Sequence, residues 1–498
     1  MKTQRRTAMQ LKKSLAISVL MASLTLAGCA NVVADYQSPL EATSLVSSSI
    51  TKHNVDIAAQ QLQWWKNFDD QDLDQLIALT LKQNPSLKIA RANVDAAYAV
   101  FRDTDNNNSI QGDVGASYTA QDQAVPGLSD QRVNTRTYRA GADLRWSLDL
   151  FNKLEYAARA AKANAKQQEY AWQEVKVNLI AQTTALFGEL KALQARTLVA
   201  QQNVQSLTKT EAVIQARLDA GFSSELDLLR IQSQVKGVEA SIPGLKAQQA
   251  RVTNTLLALA GLSPNDRSLS LFSDEAFSLK SNIRSLSIKR PIAIGTSQAL
   301  LKRRPDVYAA ERQLAAANSQ LGFETASLYP DISVSGFVGF LSGDIANLGN
   351  QTKAWSIAPS ISWPAFDLDS VDARIDTADA NIKAAAAQFE RTVLDALNEA
   401  QTALQVYTQS QKQLNLLEMQ VDASEKALNL AQLQYDAGSI DLLVLLDAER
   451  SVLAAKDNLA QTQAIVFSNI IEIYRAFGGN LISPDSIETE RSLLVAHF

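Results

Sequence analysis

Cysteine is nearly absent from this chain: 498 residues contain one, Cys29. A single thiol excludes an intrachain disulfide. Histidine is almost as scarce, with only His53 and His497. The sequence also lacks HExxH, GxSxG and Gly-rich phosphate loops, so the common zinc, acyl-transfer and nucleotide chemistries have no foothold. An enzyme is therefore not expected, nor a resident metal or cofactor. Proline (11) and glycine (19) are few, and the richness in Ala, Leu, Gln and charged residues favours long helices over a loop-rich chain. After the N-terminal region, no apolar run reaches the 18 or so residues of a membrane-spanning helix. Any membrane crossing must then be made by strands.

What is present begins with Lys2, Arg5, Arg6, Lys12 and Lys13, followed by an apolar run from Leu15 to Ala27. This is the pattern of a secretory signal peptide over residues 1–28. Removing its five basic residues leaves 47 − 5 = 42 basic against 52 acidic side chains, a net charge of about −10, which argues against a nucleic-acid partner. Leu26-Ala27-Gly28-Cys29 resembles the lipobox of bacterial lipoproteins. That resemblance implies lipidation at Cys29 and, with Ala30 following it, an outer-membrane destination. Residues 29–60 then read as a lipidated tether.

The remainder is a tandem duplication. Asp219-Ala220-Gly221 reappears as Asp436-Ala437-Gly438, an offset of 438 − 221 = 217, and Trp146 and Trp363 keep the same offset, 363 − 146 = 217. A period this long means two copies of a large half rather than a solenoid. The halves are placed at 61–261 and 293–477, joined by a Ser-rich segment at 262–292 and followed by a tail at 478–498. The joining segment and the tail are expected to form an equatorial belt.

Each half carries two stretches of strict alternation, expected at about 110–121, 137–149, 331–341 and 354–364. Tyr138, Ala140, Ala142, Leu144 and Trp146 alternate with Arg139, Gly141, Asp143, Arg145 and Ser147. Strands of 9 to 11 residues can span a tilted bilayer. Tyr138 and Trp146, and Trp355 and Trp363, stand near opposite strand ends, as interfacial aromatics do. Four strands cannot close a membrane barrel, and open edges are not tolerated in lipid. Three copies would supply twelve strands.

After each strand pair the period becomes helical for about 70 residues, on the order of 100 Å. Val175, Leu179, Leu186, Leu190, Leu193, Val204, Leu207, Ile214 and Leu218 keep coiled-coil steps. Gly221 and Gly438 suit left-handed C-terminal caps at the turn into the returning helix.

From Ala299 to Gly336 the sequence ALLKRRPDVYAAERQLAAANSQLGFETASLYPDISVSG resembles the signature of the outer-membrane efflux proteins. The likeness is to the TolC-like outer-membrane factors, in their lipoprotein branch serving resistance-nodulation-division pumps. It runs from Trp64-Trp65 to Gly478-Gly479. It implies a mainly α protein with a transmembrane β part, in which a tandem-repeat protomer forms a homotrimeric twelve-stranded β-barrel continued by a twelve-helix periplasmic α-barrel. It also implies partners, a periplasmic membrane-fusion adaptor and an inner-membrane transporter, and a duct for small molecules such as drugs.

Matching LLVLLDAER carries the family's periplasmic gate to Leu443, Asp447 and Arg450. Val444 stands where some members have a second Asp. Leu443 and Asp447, at i and i+4, share one helix face, and an Asp447–Arg450 pair could form within or between protomers. The adaptor-contact tips are expected at Asp219, Gly221 and Asp227 and at Asp436, Gly438 and Asp441. A lipid-anchored coiled-coil scaffold without a pore, a polypeptide-secretion duct and a metal-efflux duct are the other readings.

Overall fold

The computed structural model describes residues 32–34, 36–41, 63–125, 129–264 and 300–480. Cys29, most of the expected tether and joining segment, and nearly all of the 478–498 tail lie outside these. The chain divides into two compact units, one of Met1–Ala42, Asn93–Gln168 and Ala309–Glu390, the other of Thr43–Ala92, Glu169–Tyr308 and Arg391–Phe498.

Two helices, α1 (Gln71–Gln83) and α2 (Pro85–Asn106), open the first half. Strands β1 (Gln111–Val125) and β2 (Ser129–Leu148) follow, then α3 (Lys153–Asp219) and α4 (Glu225–Leu259). The second half repeats the series as α5 (Pro305–Ala326), β3 (Asp331–Ser342), β4 (Lys353–Ser362), α6 (Leu368–Asp436) and α7 (Leu442–Ala476). The duplication holds to the residue at the helical tips: α3 and α6 end 436 − 219 = 217 apart, and α4 and α7 begin 442 − 225 = 217 apart. Trp64–Phe68 is a separate 3-10 turn rather than the start of the first helix, because Asp70 caps α1 by accepting from the Asp72 and Leu73 amides.

The first unit holds an antiparallel sheet in the order β1-β2-β3-β4. The central pairing, β2 with β3, therefore joins the two halves, and β1 and β4 are its edges. The first hairpin is longer than the alternation delimits. Its ladder continues through Gln121↔Thr135 and Ala124↔Arg132, across residues expected to be loop. The sequence of this outer ribbon is mostly polar at both alternating sets of positions, so backbone pairing extends where no apolar periodicity marks it. The N-terminal segment is fastened to this unit by Tyr36, whose hydroxyl donates to Glu311 Oε1 at 2.9 Å, and by the Val33 amide, which donates to the Tyr156 hydroxyl at 3.3 Å.

The second unit is helical. Ile180, Leu190, Leu193, Leu207 and Ile214 of α3 are buried with Ile231, Val235 and Leu256 of α4 and Leu445, Phe467 and Ile470 of α7. Trp64 stacks on Tyr474 at 4.6 Å and Phe68 packs on Phe467 at 4.7 Å. Helices α3 and α4 are joined by Gln249 Nε2, which donates to the Leu193 carbonyl and Thr197 Oγ1. Helices α3 and α7 are joined by an Arg196–Asp457 ion pair at 2.6 Å. No helix among the described residues is long and apolar enough to cross a membrane.

Candidate functional site

Pairing fixes the two faces of the sheet. Because Asp143 lies opposite Asp113 and Phe337, and Phe337 opposite Ser356, one face gathers Asp113, Arg139, Asp143, Arg145, Ser333, Ser335, Ser356 and Ser360. The other gathers Val114, Tyr118, Leu144, Trp146, Val338, Trp355, Ile357 and Ile361. On this apolar face Val114 is 88% exposed, Trp355 76% and Ile361 72%. Large side chains left in the open along a whole sheet face need an apolar environment that the chain itself does not supply.

The aromatics mark two levels on that face. Trp146 lies opposite Val334, and Trp363 follows Ser362, the partner of Asp331, so both stand at the end of the sheet that leads into helices. Trp363 lies just past β4, and its indole N–H donates to the Leu328 carbonyl at 2.9 Å. Tyr138, opposite Ser342 and packed on Tyr118 at 4.7 Å, and Trp355 lie towards the other end. The separations, 146 − 138 = 8 and 363 − 355 = 8 residues, correspond to about 26 Å at the usual strand rise, close to the height of a membrane-barrel apolar band.

On the polar face Arg139 forms an ion pair with Asp143 and lies 3.8 Å from the centre of the Phe337 ring. That ring rests across Gly141 and Gly339. Phe337 was not singled out from the sequence. It is an aromatic on the polar parity of its strand, and only the register shows that two glycines make room for it.

The two helical tips are built alike. Gly221 (φ 78°) and Gly438 (φ 71°) adopt the left-handed conformation. The Gly221 and Phe222 amides donate to the carbonyls of Leu218 and Arg217, and the Gly438 and Ser439 amides to those of Tyr435 and Gln434. These are paired Schellman turns. Asp219 and Asp436 each accept from a glutamine four residues earlier, Gln215 and Gln432. Asp227 belongs to a capping box: its amide donates to Ser224 Oγ while its carboxylate accepts from the Ser224 amide. The Ser224 hydroxyl, above all, holds the Asp227 carboxyl below the usual carboxylate range. In the second tip Asp441 is itself the cap, accepting from the Val444 amide at 3.1 Å.

Beyond that cap, Leu442, Leu445, Leu446 and Glu449 are buried, whereas Leu443, Asp447 and Arg450 share the exposed face. No Asp447–Arg450 ion pair forms within the chain, and Asp447 contributes only its backbone carbonyl, to the Ser451 hydroxyl. The three side chains are thus presented outward, while α7 is held by the opposite face.

The RRPD signature has a structural role in the second unit. Buried Arg304 donates through Nε and Nη2 to Asp306 at 3.0 and 2.6 Å, and through Nη1 to Glu399 at 2.9 Å and the Ala476 carbonyl at 3.0 Å. It clamps the start of α5 to α6 and to the last carbonyl of α7. Burial, and then the nearby Asp306, push Glu174 above the usual glutamate range. Among the described residues no group of His, Cys, Asp and Glu is placed to hold a metal.

The profile of the outer membrane efflux protein family matches residues 76–262 and 296–479, one match to each half. The cation efflux system protein CusC of Escherichia coli K12 is 25% identical over 92% of this chain and 97% of its own. The solvent efflux pump outer membrane protein SrpC of Pseudomonas putida is 27% identical over 83% and 86%. The solved outer-membrane channel OprN is 35% identical, superposes with a TM-score of 0.81 and covers 90% of this chain and 99% of its own. Both matched segments contain the strands, the long helix and the tip described above, and the chain belongs to the outer membrane efflux protein family.

Proposed function

We propose that this chain is the protomer of a homotrimeric outer-membrane exit duct, passing small solutes delivered by an inner-membrane pump through a periplasmic adaptor. The observation that carries this reading is the four-stranded sheet with two unpaired edges and one exposed apolar face. A sheet cannot lie in lipid with β1 and β4 open, because each unpaired backbone group would cost several kcal/mol. Three copies close those edges into twelve strands with the aromatics outward and the Arg139–Asp143 face towards water. A second feature supports association of copies: Leu416, Met419, Leu430 and Leu433 of α6 are all more than half exposed in the isolated chain.

In this arrangement the exposed face of Leu443, Asp447 and Arg450 meets its symmetry mates at the periplasmic end and forms the gate. The tips at Asp219, Gly221 and Asp227 and at Asp436, Gly438 and Asp441 present the adaptor-docking surface. Cys29 carries the lipid anchor. The family is a channel family rather than an enzyme family, and the duct is a passive conduit whose cargo is chosen by the pump. Planar-bilayer conductance of the purified lipidated protein, with its mass in detergent, tests the reading. Stable trimers with small, rarely open conductance support it, and monomers without conductance overturn it in favour of a scaffold.

A further inference from the structure

Glu449 sits two turns into α7, on the buried side of the helix whose exposed side carries Asp447 and Arg450. It is only 3% exposed. Its Oε2 has no hydrogen-bond partner, and its Oε1 lies 3.5 Å from the Thr210 hydroxyl of α3. That hydroxyl has one hydrogen and is also 3.3 Å from the Ser206 carbonyl, so it cannot serve both acceptors fully. A carboxylate here is under-satisfied. A carboxylic acid fits better, because its own O–H can donate to Thr210 Oγ1 while Thr210 donates to Ser206, and the Oε2 left without a partner is then an uncharged carbonyl rather than half of a buried anion.

We propose that Glu449 is a proton-dependent latch on the gate helix. Protonated, it completes the chain Glu449–Thr210–Ser206 and holds the start of α7 against α3. Deprotonated, with the proton released to water, it favours separation of the two helices, because only then does the carboxylate reach solvent. The inference rests on the reading of Leu443, Asp447 and Arg450 as the gate. Their ring cannot widen unless the first turns of α7 move, and the contacts resisting that movement are Leu442, Leu445, Leu446 and Glu449.

Burial raises the Glu449 carboxyl above the usual glutamate range, and the Thr210 hydroxyl opposes this only in part. Lys209, Glu211 and Arg217 lie along α3, Asp227 and Arg230 along α4, Glu425 and Asp436 along α6, and Asp447 and Arg450 on α7 itself. The shift is caused by burial and opposed by the Thr210 hydroxyl, not by a charged neighbour. With the pKa raised in the latched form and ordinary in the opened one, latching is strongest below the ordinary glutamate pKa. It weakens as pH climbs through the interval up to the raised value, about tenfold per protomer for each unit between the two.

The test uses full-length lipidated trimer in planar bilayers from pH 5 to 8, as wild type, Glu449→Gln and Thr210→Val. Gln is neutral at every pH and can donate to Thr210 as the acid does. Wild-type open probability is expected to rise with pH, Glu449→Gln to stay low and flat, and Thr210→Val to be more open at acid pH. A Glu449→Gln channel that keeps the wild-type pH response overturns the latch. The Asp447→Ala/Arg450→Ala channel serves as control, since absence of conductance there and in wild type would overturn the duct reading instead. In that event amide exchange over 442–452 decides the latch: protection falling between pH 5.5 and 7.5 in wild type but not in Glu449→Gln supports it, and equal behaviour sinks it.

Discussion

Gly188 of α3 lies directly beneath the ring of Phe467 of α7: a Cβ at Gly188 would stand 2.2 Å from Phe467 Cδ1 and 2.4 Å from Cε1. Phe467 is itself wedged against Phe68, so its ring cannot step aside. An otherwise costly helical glycine is thereby explained. Gly188→Ala gains helix propensity but overpacks the core, a loss of about 1–3 kcal/mol. The expected result is a lowered melting temperature in detergent, with partial recovery when Phe467→Leu is added. Additive losses would show that the two residues are not coupled.

Arg304 is the most heavily committed buried cation described. Arg304→Ala leaves Asp306 and Glu399 without it, beside Glu174, whose carboxyl is already raised by burial. Loss of these charge-assisted bonds costs about 1.5–3 kcal/mol, less than for a fully buried pair because the Asp306 and Glu399 carboxylates stay partly exposed. Arg304→Lys should recover little, since one ammonium cannot reproduce the paired contacts to Asp306. Chemical denaturation of both variants checks this. Removal of Arg304 should also raise Glu174 further, shifting the pH at which the unit destabilises.

The capping box at the first tip predicts a pH dependence of its own. The Asp227 carboxyl is depressed, so its support for α4 is present above the ordinary Asp pKa and is lost as pH falls through the depressed value. Exchange of the amides at 225–228 should rise at acid pH, relative to intrinsic rates, and Ser224→Ala should reproduce that rise at neutral pH at a cost of about 1 kcal/mol.

Bilayer contact is expected to sort five of the six tryptophans. Trp146, Trp355 and Trp363 are exposed on or beside the apolar sheet face, whereas Trp64 and Trp65 are buried in the helical unit. Single-tryptophan variants in brominated lipid are expected to be quenched at Trp146, Trp355 and Trp363, and spared at Trp64 and Trp65. Quenching of the second group, or none in the first, would refute the assignment of the membrane face.

Asp447→Ala with Arg450→Ala tests the outward face of α7. Open probability should rise well above wild type if these side chains restrain the gate between protomers. Unchanged conductance would leave them as ordinary surface residues.

Much of this was legible in the sequence wherever a residue type has one strong physical reason to stand where it does. Gly221 and Gly438 announced the tips because few other residues take that backbone conformation. The alternation around Trp146 and Trp363 announced strands because one face must be apolar. The outer β1–β2 ribbon was not legible, since a backbone ladder whose sequence is mostly polar at both alternating sets of positions leaves no periodic trace. The roles of Arg304 and Glu449 were equally hidden. Both lie inside recognisable motifs, but burial and partners come from helices more than 90 and 230 residues away in sequence, and no local pattern encodes them.

The β2–β3 pairing makes the two halves of one chain neighbours and leaves the outer strands to seek other chains. In the proposed trimer every finished duct then needs three sound copies at once. A defective chain co-expressed in equal amount with the normal one would leave only about one assembly in eight wholly normal. Lesions at β1 or β4 should therefore be genetically dominant, a liability that a barrel closed by a single chain does not carry.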